Sequence, residues 1–167
     1  MGGCFHLTAA CFEHAPHIGA SVERMQQFSD ELLQVLAENE VQVHAWCVLP
    51  NHYHLLVTLQ DLAPCLHLLG RLHGRTSRTW NGEDGHRGRK VWCPPADRAM
   101  RSDDRFRATV NYVHHNPVRH GYVHKWRQWP FSSATAFVQT VGLAEAERLW
   151  KSWPPGDYGE GWDDPHL

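Results

Sequence analysis

Apolar positions along this chain repeat with two periods, about 2 in some stretches and about 3.6 in others, and the switches between them mark out its elements. Residues 4–12, CFHLTAACF, are a short, mostly apolar run ended by the loop HAPHIG, and they predict a first strand. From Ser21, a hydroxyl placed to cap a helix, SVERMQQFSDELLQVLAENE spaces Val22, Met25, Phe28, Leu32, Leu33 and Leu36 as one stripe of an amphipathic helix. VQVHAWCVL and HYHLLVTL are rich in β-formers and are parted only by the turn pair Pro50 and Asn51, so they predict an antiparallel hairpin. After Asp61, a second cap, Leu62, Leu66, Leu69 and Leu72 predict a helix over residues 61–81 that becomes basic toward its end. The polar NGEDGHRGR follows as a loop, and KVWC as a short edge strand halted by Pro94 and Pro95. From Ser102 to Asn116 the pattern predicts a third helix, with Asp103 and Asp104 in its first turn and Phe106, Val110 and Val113 on its buried stripe. Pro117 and Gly121 are expected to close it.

The order strand, helix, strand, strand, helix, strand is that of a split βαβ pair. It predicts an α+β, ferredoxin-like (RRM-like) antiparallel sheet with helices on one face, the third helix added, and the other face free for a ligand. Residues 1–130 are expected to form one domain, with 131–167 an extension packed on it, since 167 residues suit a single core. Trp126, Trp129, Phe131, Trp150, Trp153 and Trp162 make the end of the chain too aromatic for a disordered leash.

Composition changes this picture in three ways. No charged start leads into an apolar run and no apolar stretch reaches about 18 residues, so neither signal peptide nor membrane span is expected and the chain should be cytoplasmic. The five cysteines contain no C-x-x-C pair, which predicts free thiols rather than a disulfide framework or zinc finger. The net charge of −2 conceals a basic centre: residues 1–65 carry one basic and seven acidic side chains, 66–130 carry thirteen and five, and 131–167 two and six. Seven of the fourteen histidines share that central block. It is a candidate phosphate-binding face, with a solvated basic surface as the plain alternative.

Candidate chemistry begins at LPNHYHLLV, residues 49–57. Strand alternation puts His52 and His54 on one face and Tyr53, Leu55 and Val57 on the other, so Tyr53 should enter the core while the imidazoles project together, as core histidines or as two ligands of a divalent metal. On the third helix Tyr112 and Asn116 are four apart and share a face, continued by Arg105 and Thr109. That edge can meet the histidine pair, and the Asn116 carboxamide would add a hard oxygen. Each residue also has a structural reading, Tyr112 as an amphipathic tyrosine and Asn116 as a helix-ending residue before proline.

These residues carry a resemblance. LPNHYHLLV resembles the His-hydrophobe-His motif of the HUH single-strand nucleases. VNYVHHNPVRHGYV resembles the tyrosine helix of the REP-associated tyrosine transposases, relatives of the single-strand transposases of small bacterial insertion sequences. KVW, DRAMRS and WPFSSA resemble the same family, so the likeness runs over about residues 4–134. It implies His52, His54 and Asn116 as ligands of Mg²⁺ or Mn²⁺, and Tyr112 as a nucleophile that cuts and rejoins single-stranded DNA through a covalent 5′-phosphotyrosine. The implied partner is single-stranded or hairpin DNA of REP type, bound at the nucleoid by a monomer or, alternatively, a homodimer. Arg71, Arg75, Arg78, Arg87, Arg89, Lys90, Arg98, Arg101 and Arg119 become candidate DNA contacts. The sequence departs from the family at CPPA, residues 93–96, where relatives carry polar or basic residues, and in its lack of a basic lead before the first strand. Two other readings stay open: a domesticated protein that binds hairpins without cutting, and an unrelated metalloenzyme using His52 and His54.

Overall fold

In the computed structural model, which describes residues 2–161, four strands pair antiparallel in the order β2-β3-β1-β4: Gly3–Ala10 (β1), Gln42–Val48 (β2), His52–Leu59 (β3) and Ala96–Ala99 (β4). This is the ferredoxin-like arrangement the pattern predicts. Trp162 lies outside the described residues. The fourth strand is not KVWC but the segment after the two prolines. Trp92 makes one isolated bridge to Cys11, just beyond the end of β1, and Pro94 and Pro95 carry the chain back until Ala96–Ala99 can pair with Thr8 to Phe5. Proline lacks a ladder donor, so pairing resumes only after it.

Helices Val22–Glu38 (α1) and Leu62–Glu83 (α2) cover one face of the sheet, over Leu7, Ala9, Tyr53, Leu55 and Val57. Met25, Phe28, Leu32 and Leu36 are buried as the stripe predicts, whereas Val22, in the first turn, is exposed. Each fully buried Leu or Val contributes about 1.5–3 kcal/mol. The caps read at Ser21 and Asp61 form, accepting from the N–H groups of Arg24 and Ala63, and Ser102 caps the third helix in the same way, accepting from Arg105 N–H. A charged brace joins the two helices, with Arg24 paired to Glu83 and Asp84 (2.8 and 2.7 Å) and Arg89 paired to Asp84 (2.7 Å). The two guanidinium groups, Arg24 first, hold the Asp84 carboxyl well below the usual carboxylate range.

The opposite face is not free. Helix Asp103–Arg119 (α3) lies across it, packing Tyr112 and Val113 against Ala45, Cys47, Leu49 and Leu56. Phe106 and Val110 are only half-buried, and the most enclosed line is Thr109, Tyr112, Val113 and Asn116. Both faces are apolar enough to need cover, because the hairpin alternation leaves Ala45, Cys47 and Leu56 pointing away from α1 and α2. α3 also runs past Asn116, through Pro117 to Arg119. A proline in the last turn forfeits only its own N–H, and the helix stops where Gly121 adopts φ 72°. Helices Ala134–Val141 (α4) and Leu143–Ser152 (α5) follow. Asn111 ties α5 to α3, donating from Nδ2 to the carbonyls of Trp150 (2.9 Å) and Trp153 (3.0 Å). All five cysteines are free, and no helix among the described residues is long and apolar enough to cross a membrane.

One buried base makes folding pH-dependent. His73 stacks on Trp92, rings 4.2 Å apart and 13° from parallel, with Nε2 3.0 Å from the Tyr53 hydroxyl, and burial lowers its pKa from 6.5 to about 4. The unfolded chain therefore binds a proton that the folded chain refuses between those values. This contribution is complete above pH 6.5 and is lost as pH falls toward about 4, up to roughly 3 kcal/mol at about 1.4 kcal/mol per pH unit. Urea unfolding across this range should show the decline, and His73→Gln should flatten its slope.

Candidate active site

β3 begins directly after the turn, and its first residue is oriented from both sides. Asn51 Nδ2 donates to the His14 carbonyl (3.1 Å), which leaves Asn51 Oδ1 facing His52 Nδ1 at 2.7 Å. An amide oxygen only accepts, so Nδ1 carries the proton and Nε2 presents its lone pair. That Nε2 lies 3.3 Å from Asn116 Oδ1 on α3. Two electron-rich atoms thus face each other in a place where both side chains are at most 1% exposed. Such a pair suits an electrophile between them: two donors bound about 2.1 Å from one small divalent cation at right angles stand about 3.0 Å apart. Asn116 Nδ2 is buried without a hydrogen-bond partner in the described structure.

His54 sits two residues along the same face, its ring 4.9 Å from that of His52. The register Thr8↔His54 sets β1 beside it, so Nδ1 meets Thr8 Oγ1 at 3.0 Å and His6 Nε2 at 3.1 Å. His6 Nδ1 in turn lies 2.9 Å from the hydroxyl of Tyr158. The chain Tyr158, His6, His54 orients the His54 ring from behind, as outer partners of a ligating histidine do. Burial pushes the Tyr158 phenol up, opposed by a hydrogen bond from Thr109 and the nearby charges of Arg98 and Arg105.

Tyr112 closes the group, its ring 5.2 Å from His54, 5.8 Å from His6 and 5.4 Å from Tyr158. Arg119 lies over the Tyr112 ring at 5.2 Å and Arg105 over Tyr158 at 4.8 Å. Tyr112 is 1% exposed, and the backbone at Gly159 rests on its phenol: a Cβ there would overlap Tyr112 Cε2, Cζ and Oη. All four residues named from the sequence, His52, His54, Tyr112 and Asn116, therefore meet in one chain. Tyr53 points to the other face and into the α1/α2 core.

The nine candidate DNA contacts do not form one surface. Arg98 shares a cavity of about 260 Å³ with His6 and Thr8, and Arg119 stands at Tyr112. Arg71, Arg75 and Arg78 are exposed on α2, which packs on the far side of the sheet, and Arg75 pairs with Glu31 (3.5 Å). Arg87 and Arg101 are exposed in loops, and Lys90 covers the Phe12 ring at 4.4 Å. Arg89 is part of the Asp84 brace. Sequence reasoning missed His6, Thr8 and Tyr158. The first two were legible, since alternation in CFHLTAA sets them opposite Leu7 and Ala9.

The chain matches the family of IS200-like transposases over residues 6–116. It is 28% identical over 109 residues to the REP-associated tyrosine transposase of Escherichia coli K12, covering 65% of this chain and 63% of that protein. It thus spans less than two thirds of that relative's length. The fold also superposes on the solved structure of a REP-associated tyrosine transposase bound to a REP hairpin, with TM-score 0.62 and 24% identity over 79% of this chain and 76% of that one.

Proposed function

The chain belongs to the IS200-like transposase family, and from that premise we propose that it is a metal-dependent single-strand DNA endonuclease and strand transferase acting on REP-type hairpin DNA. One observation carries this reading: α3 brings the Tyr112 ring within 5.2 Å of His54 while, one turn on, it sets Asn116 Oδ1 3.3 Å from His52 Nε2. Asn116 Oδ1, 3.3 Å from His52 Nε2, is the third donor in this reading, beside the two imidazoles. The donor set of two imidazoles and an amide oxygen suits Mn²⁺ and accepts Mg²⁺. When bound, the ion supplies charge neutralisation at the phosphate oxygens.

The chain's own residues do the rest. Tyr112 Oη loses its proton as it attacks the phosphorus, the bond to the 3′ oxygen breaks, and that oxygen takes up a proton and leaves as a 3′-OH, with no net change in protons. The phosphoryl group stays on tyrosine as a 5′-phosphotyrosine, so bond energy is kept for rejoining to another 3′-OH. Arg119 and Arg98 are the candidates closest to this chemistry for holding the strand's phosphates. With His52, His54, Tyr112 and Asn116 on one chain, a single copy suffices for cleavage.

Incubation with Mn²⁺ and labelled single-stranded DNA carrying a REP-like hairpin should give an SDS-resistant adduct that Tyr112→Phe abolishes. Survival of the adduct in that variant would remove Tyr112 as nucleophile. The burial of Tyr112 under Gly159 favours a second reading, a hairpin-binding protein that does not cut; tight hairpin binding with no adduct would select it. The His54 backing predicts one further result. His6→Ala should weaken Mn²⁺ binding about ten- to hundredfold by calorimetry, with the protein folded by circular dichroism. Unchanged affinity would reduce His6 to packing.

A further inference from the structure

A line of ring contacts runs outward from His52 along the end of α3 and the segment that leaves it. His120 lies 4.9 Å from His52, Tyr122 6.2 Å from His120, and Trp129 5.5 Å from Tyr122. The outer rings are held by the fold. The turn at Gly121 lets Tyr122 N–H donate to the Pro117 carbonyl (3.0 Å), and Trp129 Nε1–H donates to the Val48 carbonyl (2.9 Å). Yet Tyr122 is 42% exposed, the one Phe, Tyr or Trp among the described residues that is.

The sequence around it is electrically one-sided. Between Asp104 and Glu145 the sequence has no acidic residue, while it has Arg105, Arg107, Arg119, Lys125 and Arg127. Arg119, Lys125 and Arg127 flank the ladder and are exposed. Aromatic faces among arginines and a lysine match a polyanion with free π faces. In a duplex those faces are occupied by neighbouring base pairs. In a single strand they are available, and every base has one, so the match does not depend on sequence.

We infer that His120, Tyr122 and Trp129 form a stacking platform for unpaired bases of single-stranded DNA beside the scissile phosphate, with Tyr122 as the main contact. This rests on the DNA-processing reading above and adds the path of the strand to it.

The test uses the full chain in EDTA, so that no cleavage occurs, with two probes: a hairpin carrying a single-stranded flank that bears 2-aminopurine at successive positions, and the same hairpin with no flank. The wild-type protein should quench 2-aminopurine at one or two flank positions. Tyr122→Ala should lose that quenching and bind the flanked hairpin roughly five- to hundredfold more weakly, Tyr122→Phe should keep both, and the bare hairpin should bind all three proteins alike. The platform is overturned if Tyr122→Ala, melting as wild type does, binds and quenches the flanked hairpin normally, or if it loses the bare hairpin equally. Binding to anionic vesicles that depends on Tyr122, with DNA binding unaffected, would assign the surface to lipid instead. A wild-type protein that bound neither hairpin would defeat the DNA-processing reading itself, an outcome distinct from the other three.

Discussion

His54→Ala is expected to lower Mn²⁺ affinity by at least about a hundredfold and the yield of the Tyr112–DNA adduct by about a thousandfold or more, several kcal/mol of lost charge stabilisation. The side chain is fully buried, and its Nδ1 is engaged by Thr8 and His6 on the neighbouring strand, so no other residue can take its place. The same burial makes the variant lose stability, about 1–3 kcal/mol for leaving those polar partners unsatisfied. A second variant therefore matters. His54→Gln keeps a hydrogen-bonding side chain of similar length but removes the imidazole, and it should lose Mn²⁺ while melting closer to wild type. Manganese binding by electron paramagnetic resonance separates the effects, because an unfolded fraction lowers the number of sites whereas a lost ligand lowers their affinity. A His54→Gln protein that binds Mn²⁺ and forms the adduct normally would overturn the assignment of this histidine.

The residues around His54 also mark how far the sequence was readable. Local periodicity is rigid, so i, i+2 on a strand and i, i+4 on a helix paired His52 with His54 and Tyr112 with Asn116 correctly. The same rule applied to β1 puts His6 and Thr8 on one face. Meeting His54 then required the register Thr8↔His54, a long-range fact that neither strand carries alone. The fourth strand was misplaced for a related reason: KVWC has the stronger β-character, but the pairing partner offered by β1 lies beyond the two prolines. Charge was the least legible. A basic block in sequence does not say which face its members take, and the fold divides it between α2, a structural brace at Asp84 and the end of α3 beside Tyr112. Nothing in the pattern foretold that Tyr158 and Gly159 would return to the site.

That return predicts the second large effect. Gly159 has φ 80°, a conformation in which a side chain is strained, and a Cβ there would overlap the Tyr112 phenol. Gly159→Val should therefore lift this segment off Tyr112, the proposed nucleophile. While the segment is docked, Tyr112 is 1% exposed and no strand can reach its hydroxyl, so on the proposed mechanism attack would proceed only from the undocked fraction. Each 1.4 kcal/mol of docking free energy hides the nucleophile about tenfold, and releasing it should raise the initial rate of adduct formation about tenfold or more. The release has a cost, since Tyr158 leaves His6 and Arg105 with it, and Mn²⁺ affinity should fall modestly. Two measurements resolve the balance: adduct formation at saturating Mn²⁺, and nitration of Tyr112 by tetranitromethane mapped by mass spectrometry. A chain ending at Trp153 keeps the Asn111 bonds to α5 and should behave in the same way. If Tyr112 becomes open to nitration yet adduct formation falls at saturating Mn²⁺, the segment is a working part of the site, with Tyr158 holding His6 and His54 in place, and does not act as a cover.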